Sequence, residues 1–550
     1  MERIAGNIVD VLNGNIYSGE IEIVNGKIHD IKERSRDFKT FILPGFTDSH
    51  VHIESSMLTP VEFGRIASIH GTIAAIADPH EIANVLGIKG IKYMVENASY
   101  SPIKIYFGAP PCVPATKFDR SGATIGLKEI EELLSWNEIK FMAEVMDFHA
   151  VINGNDAIME KIKVATKFGK VIDGHAPNLT GKELKKYIEA GISTDHESVS
   201  IEEAKEKIKF GMKIQIREGS AAKNFDELFP LLHEHYMNCM LCTDDLHPDD
   251  LIKGHIDKMV KRAVEYGVDV MKVLMAACVN PVKHYGLNVG LLQKEDAADF
   301  IVVSDLKNFN VLQTYVNGKK VAERGKPLWG YFPSSIINNF VAKERNKEEF
   351  RVVAKNKVAK NRNINIIEIV PNQIITNKLI ALPKIKNGEI TSDIDKDIIK
   401  VAVVSRYEEK GKISIGFAKN LGIKFGAVAS SISHDSHNII GAGVTDDELC
   451  RAINLVIENK GGISIVNGSK EYIFPLPVAG LMSDKSYEEV AEKFAKLTKV
   501  AHRLGNKNPF MALSFLTLLP IPKIRISDSG LFDVGQQKFV SLFSDSRIST

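Results

Sequence analysis

The side chains best suited to chemistry are histidines and carboxylates that recur where apolar runs end. His50 and His52 close the run Leu43-Pro-Gly-Phe-Thr-Asp-Ser-His50-Val-His52. Residues two apart on a strand point the same way, so both imidazoles can reach one metal ion. Four later runs end alike: Lys140-Phe-Met-Ala-Glu144-Val-Met-Asp147, Gly174-His175-Ala-Pro177, Thr194-Asp195-His196-Glu197-Ser198 and Cys242-Thr-Asp244-Asp245-Leu-His247. A single His-x-His arises easily by chance, and a single acid is often a helix cap. Surface histidines and capping acids explain the ordered set poorly. Imidazole and carboxylate ligands suit zinc, iron or manganese. A bound divalent cation lowers the pKa of water from about 16 towards 7, so the chemistry suggested is attack by a metal-activated water.

Such residues need a scaffold that brings distant strand ends to one place. Eight strand-like runs fill residues 41–286: Phe41–Thr47, Gly71–Ala77, Ile103–Gly108, Lys140–Phe148, Lys170–Gly174, Gly191–Thr194, Met212–Arg217 and Asn238–Thr243. Helical periodicity follows most of them, as in Asp156–Phe168, Lys182–Ala190 and Ile201–Phe210. That rhythm predicts an α/β fold with a TIM-type (β/α)8 barrel, whose functional residues sit where strands pass into loops. A doubly wound sheet competes, but no glycine-rich phosphate fingerprint follows the first strand. Residues 1–40 and 287–345 carry short strands and Asn-Gly turns (Asn13-Gly14, Asn25-Gly26, and Tyr315-Val-Asn-Gly-Lys319). Each piece is too short to bury a core alone, so together they are expected to form one small composite β-sandwich. A charged, proline-bearing linker near 331–355 leads to a third, α+β region at 355–550. Its strand runs are Val401–Ser405, Ile413–Gly416 and Gly426–Ser430, and its helix candidates Glu448–Asn459 and Tyr487–Arg503.

Bulk properties narrow the function classes. Across 550 residues, 70 Lys and Arg nearly balance 69 Asp and Glu, so no basic excess points to nucleic acid and a small-molecule substrate is expected. No uninterrupted apolar stretch reaches membrane-spanning length and no signal-peptide pattern opens the chain, so a cytoplasmic protein is expected. Five cysteines make no disulfide framework. Cys239 and Cys242 form a CxxC inside an apolar run, read as a buried strand rather than a redox or zinc site. His233-Glu-His235 lacks HExxH spacing and is read as surface. His52-Ile-Glu54 matches half of the zinc nucleoside deaminase motif, but Pro111-Cys112-Val-Pro-Ala115 lacks the second cysteine.

With its histidines and acids at successive strand ends, the chain resembles the amidohydrolase superfamily. The resemblance implies two bound metals, with His50, His52, His175, His196 and Asp244 as ligands and Glu144 bridging. Many relatives, such as dihydroorotase and urease, bridge with a carboxylated lysine from the fourth strand. Here Lys140 begins that strand and Glu144 lies nearer its exit, which favours a glutamate bridge and the adenine deaminase branch. Longer phrases resemble that branch too: Pro44-Gly-Phe-Thr-Asp-Ser-His-Val-His-Ile-Glu-Ser-Ser56, Asp78-Pro-His-Glu-Ile-Ala-Asn84 and His434-Asp-Ser-His-Asn438. The third region resembles the C-terminal domain specific to that branch.

The resemblance implies hydrolytic deamination of adenine to hypoxanthine and ammonia in purine salvage, by a metal-bound hydroxide. The expected cofactors are two divalent ions, manganese or iron, with zinc a further candidate. Asp244 is expected to carry the proton from the attacking water to the leaving nitrogen. Ring N1 must also gain a proton, for which Glu81, Glu54 and Glu197 are candidates; helix capping or support of ligand histidines would be their plainer roles. His434 and His437 are expected to add polar contacts, or another metal site, from a loop over the barrel mouth. Rival readings are a cyclic-amide hydrolase of the same superfamily and a non-catalytic, metal-stabilised scaffold. Homo-oligomerisation is expected only because soluble enzymes commonly self-associate.

Overall fold

The computed structural model describes residues 2–354, 362–371, 373–505 and 509–544. The expected start of the third region, residue 355, lies outside them. The chain gathers into two compact units, one of Met1–Pro79, Lys92–Pro111 and Gly126–Ser334, the other of His80–Ile91, Cys112–Ile125 and Ser335–Thr550.

In the first unit, eight parallel strands follow one another in chain order. Phe46–Val51, Thr72–Ala77, Lys104–Ala109, Ile139–Val145 and Val171–Gly174 form one continuous ladder, and Thr194–Asp195, Lys213–Arg217 and Cys239–Cys242 another. Backbone bonds join the two ladders at both seams. Ser193 N donates to Ile172 O at 2.9 Å. Asp244 N donates to His50 O at 2.9 Å, and His52 N to Asp244 O at 3.2 Å. The sheet therefore closes as a TIM-type barrel. Strand residues such as Ile76, Phe141, Ile214 and Leu241 and the surrounding helices share one apolar core. Helices Asp156–Lys167, Gly181–Glu189 and Ile201–Lys209 stand within a residue of the periods read from sequence.

The first barrel strand differs from the expected Phe41–Thr47. Phe41–Pro44 pairs instead with Glu2–Asp10 and Phe300–Val303, and the barrel strand begins at Phe46. Pro44 has no N–H to extend a ladder. Gly45 marks the crossing, because a Cβ there would fall 2.4 Å from Ile73. The flanking pieces meet in one eight-stranded sheet around Ile8, Ile21, Ile42, Phe300 and Tyr315. Two of its hairpins turn through Asn25-Gly26 and Asn317-Gly318, all four residues at positive φ, as a two-residue turn of type I′ requires.

The second unit holds an eight-stranded sheet. Its order is Thr376–Ala381, Ile364–Ile369, Ile413–Lys419, Ile398–Val404, Ile439–Gly443, Ala427–Ser430, Gly462–Asn467 and Lys470–Pro475. Helix Asp446–Glu458 packs Leu449, Ala452, Ile453 and Val456 into the core that includes Ala427, Ala429 and Ile439. Its N-terminus is capped by Thr445, whose hydroxyl accepts from Glu448 N. Helix Tyr487–Arg503 stands where its periodicity placed it. Among the described residues, no helix is long and apolar enough to cross a membrane.

Candidate functional site

The barrel strands end in a buried cluster of imidazoles and carboxylates. His50 and His52 project from alternate positions at the end of the first strand, and their Nε2 atoms face each other at 3.2 Å. Asp244, after the eighth strand, places Oδ1 3.2 Å from His52 Nε2 and 3.8 Å from His50 Nε2. Glu144, in the fourth strand, reaches both ways. Its Oε1 lies 3.6 Å from His52 Nε2, and its Oε2 lies 2.8 Å from His175 Nδ1 and 3.3 Å from His196 Nε2. All six expected ligands thus converge, although they come from five different strand ends.

This arrangement fits divalent metal ions. Two neutral imidazole nitrogens at 3.2 Å can satisfy each other with only one proton, whereas a cation between them uses both lone pairs. His50, His196 and Asp244 form one group whose ligand atoms all lie within 4.8 Å, and Glu144, His175 and His196 form another. His196 belongs to both groups. Nδ1 of His50 and of His196 are buried without a hydrogen-bond partner.

The charges are tuned by burial and by each other. Burial, then His196 and His52 beside it, holds His50 well below the ordinary imidazole range. Burial pushes the Glu144 carboxyl upward, but His175 and His196 outweigh it and leave it well below the usual carboxylate range. Asp244 is likewise opposed by burial and held low chiefly by Arg217.

Arg217 was not singled out by its sequence, yet it is central. It ends the seventh strand, and its guanidinium donates to Glu197 and, at 2.5 Å, to Asp244 Oδ2. A charged residue at the end of an apolar run is the signal that could have found it. Asp78 is a second such residue. Its Oδ2 accepts from Glu144 N at 3.1 Å, and its carbonyl lies 3.2 Å from His52 Nδ1, so one residue braces two of the expected ligands. A third brace is Lys207, fully buried, which donates to Asp195, Glu203, Ser198 and the carbonyl of Ala176. It ties together the segments that carry His175 and His196.

The neighbouring acids sort themselves by partner. Asp147 caps helix Phe148–Ile152 by accepting from Ala150 N. Asp245 accepts from Ser55 Oγ at 2.5 Å, and His247 leads into helix Pro248–Leu251. Glu197 turns both oxygens to Arg217. Glu54 lies buried in the turn Ile53–Ser56 after the first strand. Cys239 and Cys242 are buried in the eighth strand, where desolvation pushes both thiols up, Cys239 to about 12. His233 is exposed, as expected.

Glu81, His434 and His437 come together within the second unit. Glu81 stands in the first turn of helix His80–Leu86, with Oε1 2.7 Å from His434 Nδ1 and Oε2 2.5 Å from His437 Nε2.

The amidohydrolase family profile matches residues 41–321, and that of the adenine deaminase C-terminal domain matches 373–538. The chain is 46% identical over 555 residues to the adenine deaminase of Methanosarcina mazei, covering 99% of this chain and 100% of that one. With the adenine deaminase of Borreliella burgdorferi it shares 45% identity over 547 residues, 98% of this chain and 99% of the other. The chain belongs to the adenine deaminase family. A further member, from Sulfurovum sp., is 48% identical over 534 residues, 96% of this chain and 98% of its own. Membership in the adenine deaminase family extends over both units, and the barrel cluster lies inside the amidohydrolase match.

Proposed function

We propose that this chain deaminates adenine hydrolytically: adenine plus water gives hypoxanthine plus ammonia. The observation that carries the reading is Glu144, set between His52 on one side and His175 and His196 on the other. In this reading His50, His52, Glu144, His175, His196 and Asp244 would hold two divalent ions, manganese or iron. When bound, the ions supply a nucleophilic water at neutral pH and polarise the ring being attacked. Asp244 accepts a proton from the attacking water and returns it to the exocyclic nitrogen, so that ammonia rather than amide ion leaves. Arg217 fixes the Asp244 carboxylate through Oδ2 and leaves Oδ1 turned to His52.

The acid that serves ring N1 is drawn from Glu54, Glu81 and Glu197, and His434 and His437 support the Glu81 option. The glutamine variant at the position that serves N1 loses kcat while its barrel metal content stays the same. The balanced charge and the absence of a long apolar helix among the described residues suit a cytoplasmic salvage reaction on a free base.

The test is a direct assay of manganese-loaded protein on adenine, following hypoxanthine by its ultraviolet spectrum and ammonia separately. Equal rates of both products, lost in Asp244→Asn and His50→Ala, are expected. If adenine is untouched while metal is bound, the substrate assignment fails and a panel of cyclic amides takes its place. A folded Asp244→Asn protein without turnover also removes the scaffold reading.

A further inference from the structure

A buried polar network that the proposed reaction does not use lies just before the ligand-bearing strand ends of the barrel. Its centre is Tyr285, the last residue of helix Asn280–Tyr285, whose ring packs edge-on against Phe141 with centroids 5.3 Å apart. The Tyr285 hydroxyl donates to Asp173, with both carboxylate oxygens 2.8 Å away, and accepts from Gln215 Nε2 at 3.2 Å. Gln215 Nε2 also donates to the Ser49 carbonyl at 2.6 Å, where the ladder of the first two strands slips between Asp48 and Val51. On the far side, Asp173 Oδ1 accepts from Thr194 Oγ1 at 2.9 Å, and that hydroxyl accepts from Gly174 N at 3.2 Å.

The sequence positions of these groups tie the network to the site. Ser49 directly precedes His50, and Gly174 directly precedes His175. Thr194 stands two residues before His196, and Gln215 two before Arg217, which holds Asp244. The first, fifth and seventh strands are not neighbours in the ladders, so the bonds between them run across the barrel. Backbone pairing spaces neighbouring strands; these side chains add a direct tie between strand ends that otherwise have none.

The network is also costly for a mere filler. Asp173, Thr194 and Gln215 are each at most 1% exposed, and apolar side chains of similar size would fill the space without desolvating a carboxylate. Burial, and Asp173 beside it, push the Tyr285 hydroxyl well above its ordinary range, so it stays a proton donor.

We propose that Tyr285 is a positioning residue for the barrel reaction: through Asp173 and Gln215 its hydroxyl fixes the strand ends that carry His50, His175, His196 and Arg217. The inference rests on the metal-dependent reading of that site. Tyr285 acts through these strand ends and not by contact with the reacting atoms.

Tyr285→Phe removes the hydroxyl and keeps the ring. In full-length, manganese-loaded protein it is expected to lower kcat on adenine by about 10-fold, the low end of the loss when outer partners of metal ligands are removed, with KM little changed. Cobalt loaded in place of manganese reports the ligand geometry directly. Its visible bands are expected to shift in the variant while the cobalt count per chain stays that of the wild type. Gln215→Met, which cuts the tie to Ser49, should reproduce both changes, and the double variant should fall no further than the worse single one. A folded Tyr285→Phe protein with wild-type kcat and wild-type cobalt bands overturns the proposal, even if its unfolding temperature is lower. If Tyr285→Phe does not fold, Gln215→Met decides alone. Should the wild type bind cobalt but leave adenine untouched, the substrate reading fails by itself and the cobalt bands still decide on Tyr285. Failure of the barrel reading thus shows in the wild type, and failure of this inference only in the variants.

Discussion

At the barrel mouth, His50, Glu144, His175, His196, Arg217 and Asp244 each come from a different strand end, and a shared backbone ladder sets their spacing. In the second unit, His80 and Glu81 come from one helix start, and His434, Asp435 and His437 from one connection. The side-chain types are the same, but the supports differ. A ladder holds each side chain independently, so losing one leaves the others in register. A single connection holds His434, Asp435 and His437 through a few tethers, so losing a tether displaces them together. Chemistry that needs fixed geometry after each turnover is better placed on the first kind of support.

The comparison can be broken most sharply at the barrel. Asp244→Asn is expected to lower kcat by about 10²–10⁴-fold, the usual worth of a positioned proton carrier, with thermal unfolding unchanged. Chelating the metal should abolish turnover and manganese should restore it; activity that survives complete metal removal would sink the barrel reading. The next effect is on stability. Lys207→Met leaves Asp195 and Glu203 buried without their cation, which costs about 3–5 kcal/mol in urea unfolding. A loss below about 1 kcal/mol would show that this brace is dispensable.

In the second unit, Ile453→Ala opens the core beneath the sheet and should cost about 2–5 kcal/mol. Zinc binding at the barrel is expected to stay intact in that protein. The smallest effect is at a helix end. Thr445→Ala removes the hydroxyl that accepts from Glu448 N and should cost about 1 kcal/mol, read as a lower unfolding temperature with unaltered turnover.

Much of the barrel was legible because its signals are local and periodic. Seven of the eight strand runs matched to within a few residues, since apolar stretches bounded by turns are short-range features. The first strand was misplaced at its start because Phe41–Pro44 is as apolar as Phe46–Val51. Only the pairing partners, Glu2–Asp10 and Phe300–Val303, distinguish a flanking strand from a barrel strand. His50 and His52 stood out through their spacing of two. Arg217 did not, because arginine is an ordinary residue to find at a strand end until Glu197 and Asp244 are seen to face it.

The amino-acid sequence by itself determined the strand and helix periods, the placing of imidazoles and acids at strand ends, and the resemblance to a family. Those follow from near neighbours, where two- and 3.6-residue periods fix which side chains share a face. Only the tertiary structure decided which acid is a cap and which a partner. Asp147 bonds a backbone N–H three residues on, while Glu144 lies between histidines 31 and 52 residues further along the chain and one 92 residues before it. It also decided that Glu81 meets His434 and His437. Residues more than 350 apart in sequence become neighbours only when burial of apolar surface brings their segments together, and no local pattern records that meeting.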